Sequence, residues 1–199
     1  MNGTRPPIRR NARWHNRLLG CLLLSFFAAS TDFAADSAPK KPVTELQVKA
    51  ALVFRVAKFI NWPAQAFGSA SDPFVTCVAS HTDAASRAFD DLQGKLLGGR
   101  TLVVRRVTGD MLDLRQCHAV FFPADSGSDV DYALGKLEGT PVLTIGEDEA
   151  FIKRGGMLAL VTRDQRVRFS INLGVTKHAG LEVSSQLLQL ATVVGSTSP

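Results

Sequence analysis

What this 199-residue chain lacks excludes several classes of protein at once. After residue 30 no apolar run approaches the roughly 18 residues that cross a bilayer as a helix. No Cys-x-x-Cys occurs, which removes thioredoxin-like exchange and a cysteine zinc site. No Gly-x-Ser-x-Gly elbow is present; Ser126 stands in Asp-Ser-Gly-Ser instead. The glycine pairs 98–99 and 155–156 precede strand-like runs rather than joining a strand to a helix, so they form no phosphate cradle. Basic residues neither cluster nor interleave with aromatics beyond residue 30, which argues against nucleic acid as a partner. No internal repeat and no second linker divide the chain.

What is present begins with a leader. Arg5, Arg9, Arg10, Arg13 and Arg17 precede the apolar run Leu18–Ser30, and small residues close it at Ala28-Ala29-Ser30. This is the layout of a secretory signal peptide, residues 1–30. Cleavage after Ala35 is the weaker option, because Phe33 lies two places upstream. The run measures about 20 Å as a helix against a hydrocarbon core of about 30 Å, too short for an anchor. Leu18-Leu-Gly-Cys21 matches a lipobox as text, but the apolar segment follows that cysteine rather than preceding it, which excludes lipidation. Five of the 23 basic residues and none of the 18 acidic ones fall in the leader, so the remainder is neutral. The basic pI belongs to the export signal and carries no message about partners. The chain is expected in the periplasm.

Residues 31–43 read as a flexible lead-in, residues 44–194 as one domain and residues 195–199 as a tail. Thr44 is a plausible N-cap for a helix with apolar residues at Leu46, Ala50, Val53, Phe54, Ala57 and Ile60, ending at Trp62-Pro63. Phe74–Ala79, Thr101–Val107, Ala119–Phe122 and Pro141–Ile145 are short β-branched and aromatic runs. Helical patterns at Thr82–Leu92 and around Tyr132–Leu137 lie between them. Met157–Val161 and Val167–Ile171 form a hairpin, in which Val167, Phe169 and Ile171 alternate with polar residues. A closing helix from Ser184 to Val194 is expected. The fold class is α/β: a three-layer domain with a largely parallel central sheet, an antiparallel C-terminal hairpin and helices on both faces. With Cys21 lost in the leader, Cys77 and Cys117 remain. An even count in an oxidising compartment points to a disulfide, with two buried thiols as the alternative.

No catalytic set assembles, so no enzyme, cofactor or metal is expected. Ser126 has no assigned base among His81, His118 and His178. Asp129 and Asp131, with Glu147-Asp-Glu149, read as acidic helix starts rather than cation ligands. Two binding readings remain open. Phe59 and Trp62, with Arg168 and Asn172 on the wet face of the hairpin, are candidates for a protein-binding surface. Trp62 has an equally valid reading as a staple of the first helix onto the sheet. Ser184 and Ser185, helped by Arg168, are candidates for an anion site, unless Ser184 simply caps its own helix.

The ordered segments carry a resemblance. Leu46 through Phe59-Ile-Asn-Trp62-Pro63, the Cys77 strand, Gly94-Lys95 with Gly99-Arg100, and Cys117-His118 come in sequence. Pro141–Ile145, Gly155-Gly-Met157, Val167–Asn172 and Ala179-Gly-Leu-Glu-Val-Ser-Ser-Gln-Leu-Leu-Gln-Leu-Ala191 follow. Together they resemble the YfiR family of small periplasmic proteins, over roughly residues 44–194. The resemblance implies a non-enzymatic regulator that binds and represses the periplasmic part of an inner-membrane diguanylate cyclase, or of another membrane sensor. It also implies an outer-membrane OmpA-like lipoprotein that sequesters the regulator. The family's namesake has two disulfides, and this chain has cysteines for one. A homodimer through an exposed edge strand or aromatic patch is a further option. The alternative function is a periplasmic sensor of a small anionic molecule.

Overall fold

Thr44 starts the first helix with a reciprocal cap. Its Oγ1 accepts from Gln47 N, and the Gln47 side chain accepts from Thr44 N at 2.9 Å. The computed structural model describes residues 42–108, 111–127 and 129–195. The expected signal peptide, its cleavage positions and the lead-in before Pro42 lie outside the described residues, as does the tail beyond Gly195.

In chain order the helices are α1 (Glu45–Ala57), α2 (Asp83–Phe89), α3 (Asp129–Leu137), α4 (Glu149–Lys153), α5 (Leu173–His178) and α6 (Ser185–Leu188). The strands are β1 (Ile60–Asn61), β2 (Phe74–Ala79), β3 (Leu96–Leu97), β4 (Arg100–Val107) and β5 (Ala119–Phe121). They continue with β6 (Leu143–Gly146), β7 (Leu158–Arg163), β8 (Arg166–Asn172), β9 (Glu182–Val183) and β10 (Thr192–Val194). Among the described residues β1 and β9 form a small antiparallel pair, and the others form one sheet in the order β10-β8-β7-β6-β5-β2-β4-β3. Strands β4, β2, β5, β6 and β7 run parallel, β8 is antiparallel to β7, and β10 lies parallel to β8.

Alternation along the parallel strands divides the core between two faces. Phe74 and Val78 of β2, Ala119 and Phe121 of β5, and Leu143 and Ile145 of β6 pack with α1 and α2. Val75, Cys77 and Ala79, Val120 and Phe122, and Val142 pack on the other face with Leu114 and with Val130, Ala133, Leu134 and Leu137 of α3. The fully buried Phe74, Phe89, Phe121 and Phe151 each contribute about 2–3 kcal/mol of burial. The pair Gly155-Gly156, excluded above as a phosphate cradle, serves packing. A Cβ on Gly156 or on Gly146 would overlap the buried ring of Phe151.

The hairpin turns at Asp164-Gln165 with φ of 50° and 59°, the paired positive values that match the twist of two adjacent strands. Two expected boundaries move. The first helix stops at Ala57 rather than at Trp62, because β1 is recruited by β9 and Phe59 O accepts from Ser184 N at 2.9 Å. The closing helix expected over Ser184–Val194 is only the four residues of α6. The β-branched run Thr192-Val-Val194 favours extended backbone, and it pairs with the last three residues of β8. The hairpin is therefore internal, and β10 is the outermost strand beside it.

Candidate partner-binding surface

Chain order fixes where a doubly wound sheet normally opens. From β2 the chain steps outward to β4 and then crosses back to β5, so the carboxyl ends of β2 and β5 diverge, the usual place for a ligand crevice. Here the chain fills that place itself. The Asp125 carboxylate accepts from Thr82 Oγ1 at 2.7 Å and from Ser80 Oγ at 3.0 Å. Ser126 Oγ donates to Ala79 O at 2.6 Å and is buried, so it is committed to the backbone. Glu147 Oε2 accepts from Ala124 N at 2.6 Å, and its Oε1 lies 2.9 Å from Lys49 Nζ. The cavity left between Phe122, Ser126 and Glu147 is about 50 Å³, room for a water or two. Asp148, part of the acidic triplet, caps α4 through Phe151 N at 2.6 Å, and no metal-ligating group of three forms among the described residues.

Lys49 is the unexpected member of this network. It occupies a core-facing position of α1 and is 6% exposed. Glu45 Oε1 lies 2.6 Å from its ammonium, one turn earlier on α1. Burial, the largest single influence, pulls its pKa down. The two carboxylates together outweigh it and leave the group above its ordinary value. A lysine in phase with Ala50, Val53, Val56 and Ala57 was the available signal, since a charge on the buried stripe needs a buried counter-charge.

At the opposite end of the sheet, ahead of β5, sits an aromatic node. Val75 N donates to His118 Nδ1 at 2.9 Å, which leaves the proton on Nε2, 3.1 Å from Ala66 O. The ring lies between Phe67 and Phe74 at centroid distances of 4.4 and 5.1 Å. Arg100 lies 3.7 Å from the centre of Phe67 and donates to Ser69 O and Asp72 O. Burial, with Arg100 nearby, pushes the His118 pKa below the usual histidine range. Trp62 belongs to this node: its indole N–H donates to His118 O at 3.2 Å and its ring meets Phe74 edge-on at 4.9 Å. Beside it, Cys77 of β2 and Cys117 form a disulfide with Cα atoms 5.9 Å apart.

The apolar surface lies elsewhere. Val48, Leu52, Arg55 and Phe59 recur at helical spacing on the flank of α1 away from α2. That flank looks toward the hairpin, since Thr162 Oγ1 donates to Glu45 Oε1 at 2.7 Å. Val167 and Phe169 of β8 are only part-buried on this side, and Val193 of β10 pairs beside Ile171 on the same face. Val48, Phe59 and Val193 are all exposed there. Phe59 and Ser184 come together here through their backbones. Trp62 is half-buried at the base. Arg168, in the alternate phase of β8, points to the opposite face of the sheet, away from Ser184 and Ser185. Asn172 caps α5 through Val175 N, and Ser184 Oγ caps α6 through Leu187 N. The geometry does not converge Ser184, Ser185 and Arg168 on one point.

A family model described as YfiR/HmsC-like matches residues 46–192. The chain belongs to this family. No curated protein matches. A solved structure described as a conserved domain protein from Vibrio cholerae O1 biovar El Tor str. N16961 aligns with a TM-score of 0.47 and 12% identity. It covers 75% of this chain, which spans 60% of that protein's length. For a YfiR/HmsC-like chain the geometry above has a simple chemical content: a filled crest, a cross-linked base and an exposed apolar flank. No described helix is long and apolar enough to cross a membrane.

Proposed function

We propose that this protein is a periplasmic, non-enzymatic regulator that binds the periplasmic part of an inner-membrane diguanylate cyclase and holds it inactive. Membership of the YfiR/HmsC-like family is the observation that carries this reading. The crest supports it, because the functional groups that a hydrolase or nucleotide enzyme would deploy there are consumed by internal hydrogen bonds. The apolar flank of α1 with the β8–β10 border supplies the kind of surface that is desolvated on binding. Phe59 is its anchor on α1. An outer-membrane OmpA-like lipoprotein that competes for the regulator completes the scheme. The test is cellular and biochemical. Deleting the gene raises cyclic di-GMP, and the protein used as bait in a membrane extract retains a diguanylate cyclase. Unchanged cyclic di-GMP in the deletion strain refutes the reading.

A further inference from the structure

One edge of the hairpin is left open by the other described residues. Asn172 N donates to Met157 O, and the register pairs Arg168 with Val161 and Arg166 with Arg163. In an antiparallel ladder, residues bonded to one neighbour alternate with residues turned away from it. Arg166, Arg168 and Ser170 therefore direct their backbone groups at β7, while Val167, Phe169 and Ile171 direct theirs outward. Strand β10 meets only Ser170–Asn172 and so takes up Ile171. The Thr192–Ser170 pairing also engages Phe169 O through Thr192 N, and among the described residues nothing hydrogen-bonds Val167 N, Val167 O or Phe169 N. Arg166-Val-Arg-Phe169 is thus a short strand edge with three backbone groups to offer.

Its two faces differ in chemistry. Val167 and Phe169 lie part-buried on the side of α1, continuous with Val193. Arg166 and Arg168 are exposed on the other face and form no ion pair among the described residues, whereas the neighbouring Arg163 is held by Glu149 at 2.7 Å. Antiparallel pairing with a second copy would bring the arginines of the two edges together, which is unfavourable. An acidic strand meets no such repulsion.

We propose that Arg166–Phe169 is a strand-addition site for an extended segment of the partner, in which acidic residues facing Arg166 and Arg168 alternate with apolar residues beside Val167 and Phe169. The proposal rests on the reading that this protein binds a membrane signalling protein, and it states how.

Two capped octapeptides test it, one alternating glutamate with valine and one alternating lysine with valine. The protein binds the first and not the second, and hydrogen exchange at the amides of Val167 and Phe169 slows on binding. In the double variant R166E/R168E, with an unchanged melting temperature, the preference reverses and the glutamate peptide weakens about tenfold. Equal affinity for the two peptides, or unaltered exchange at these amides with peptide bound, overturns the proposal, as does self-association through this edge. Capture of a diguanylate cyclase from membranes separates the two readings. If the wild type and the double variant retain the cyclase equally, strand addition fails while the regulator reading stands. If the wild type retains none but binds the acidic peptide, the edge is confirmed and the cyclase reading fails.

Discussion

Replacing Lys49 with methionine tests whether the buried charge network at the crest holds the domain together. The substitution keeps the length and most of the volume of the side chain, so packing changes little. What it removes is the only partner of Glu147 Oε1 among the described residues, a buried oxygen on a side chain 10% exposed. Glu147 keeps one backbone donor, Ala124 N, on its other oxygen. Stranding one half of a buried ion pair costs about 3–5 kcal/mol, a large part of the 5–15 kcal/mol typical of a whole domain. Glu45, with a side chain 55% exposed, adds only about 0.5 kcal/mol to the loss. Urea unfolding of four proteins measures it: wild type, Lys49→Met, Glu147→Gln and the double variant. Lys49→Met loses about 3 kcal/mol or more. Neutralising both partners recovers most of that, giving a coupling energy of about 2 kcal/mol. The linkage has a definite sign. The folded-state pKa of Lys49 is raised, so its contribution is complete below the ordinary value of 10.5 and is lost as pH rises beyond it. A Lys49→Met protein within about 0.5 kcal/mol of wild type, or strictly additive single changes, refutes the reasoning.

Further outcomes follow from the base of the sheet and the flank. Reducing the Cys77–Cys117 bond, which closes a sequence separation of 40, costs up to about 4 kcal/mol in the chain-entropy model; calorimetry with and without reductant shows a melting point lower by about 10 °C, and an unchanged melting point contradicts it. Burial, with Arg100 nearby, holds His118 neutral, so its folded pKa lies below the unfolded 6.5. Stability is therefore full above pH 6.5 and declines as pH falls below it, a slope that disappears in His118→Gln when urea midpoints are compared between pH 7.5 and 5.5. Trp62→Ala removes the indole bond to His118 O and the edge contact with Phe74, costing about 2 kcal/mol by chemical denaturation, while the folded fraction still binds the partner. Phe59→Asp does the converse: it changes stability by under about 1 kcal/mol at its 36% exposed site but abolishes capture of the cyclase.

The sequence by itself determined whatever depends on pattern along the chain. Buried runs such as Phe74–Ala79 and Ala119–Phe122, alternation in Val167–Ile171 and the Thr44 cap specify strands, hairpin and helix locally, and each is found within about one residue of where its spacing places it. The cysteine pairing was legible because only two cysteines follow residue 30, while the structure supplied the neighbouring strands that bring them together. The ordered segments that resemble the YfiR family lie within the residues that the family model matches. Tertiary structure decided the rest, for one physical reason: a polar group's role depends on partners far away in sequence. Lys49 meets Glu147 across 98 positions, and Trp62 meets His118 across 56. No local pattern encodes either meeting. The same holds for Thr192-Val-Val194, whose extended backbone became a strand because the end of β8 offered unpaired groups to meet it, and for Arg166–Phe169, where no such strand arrived.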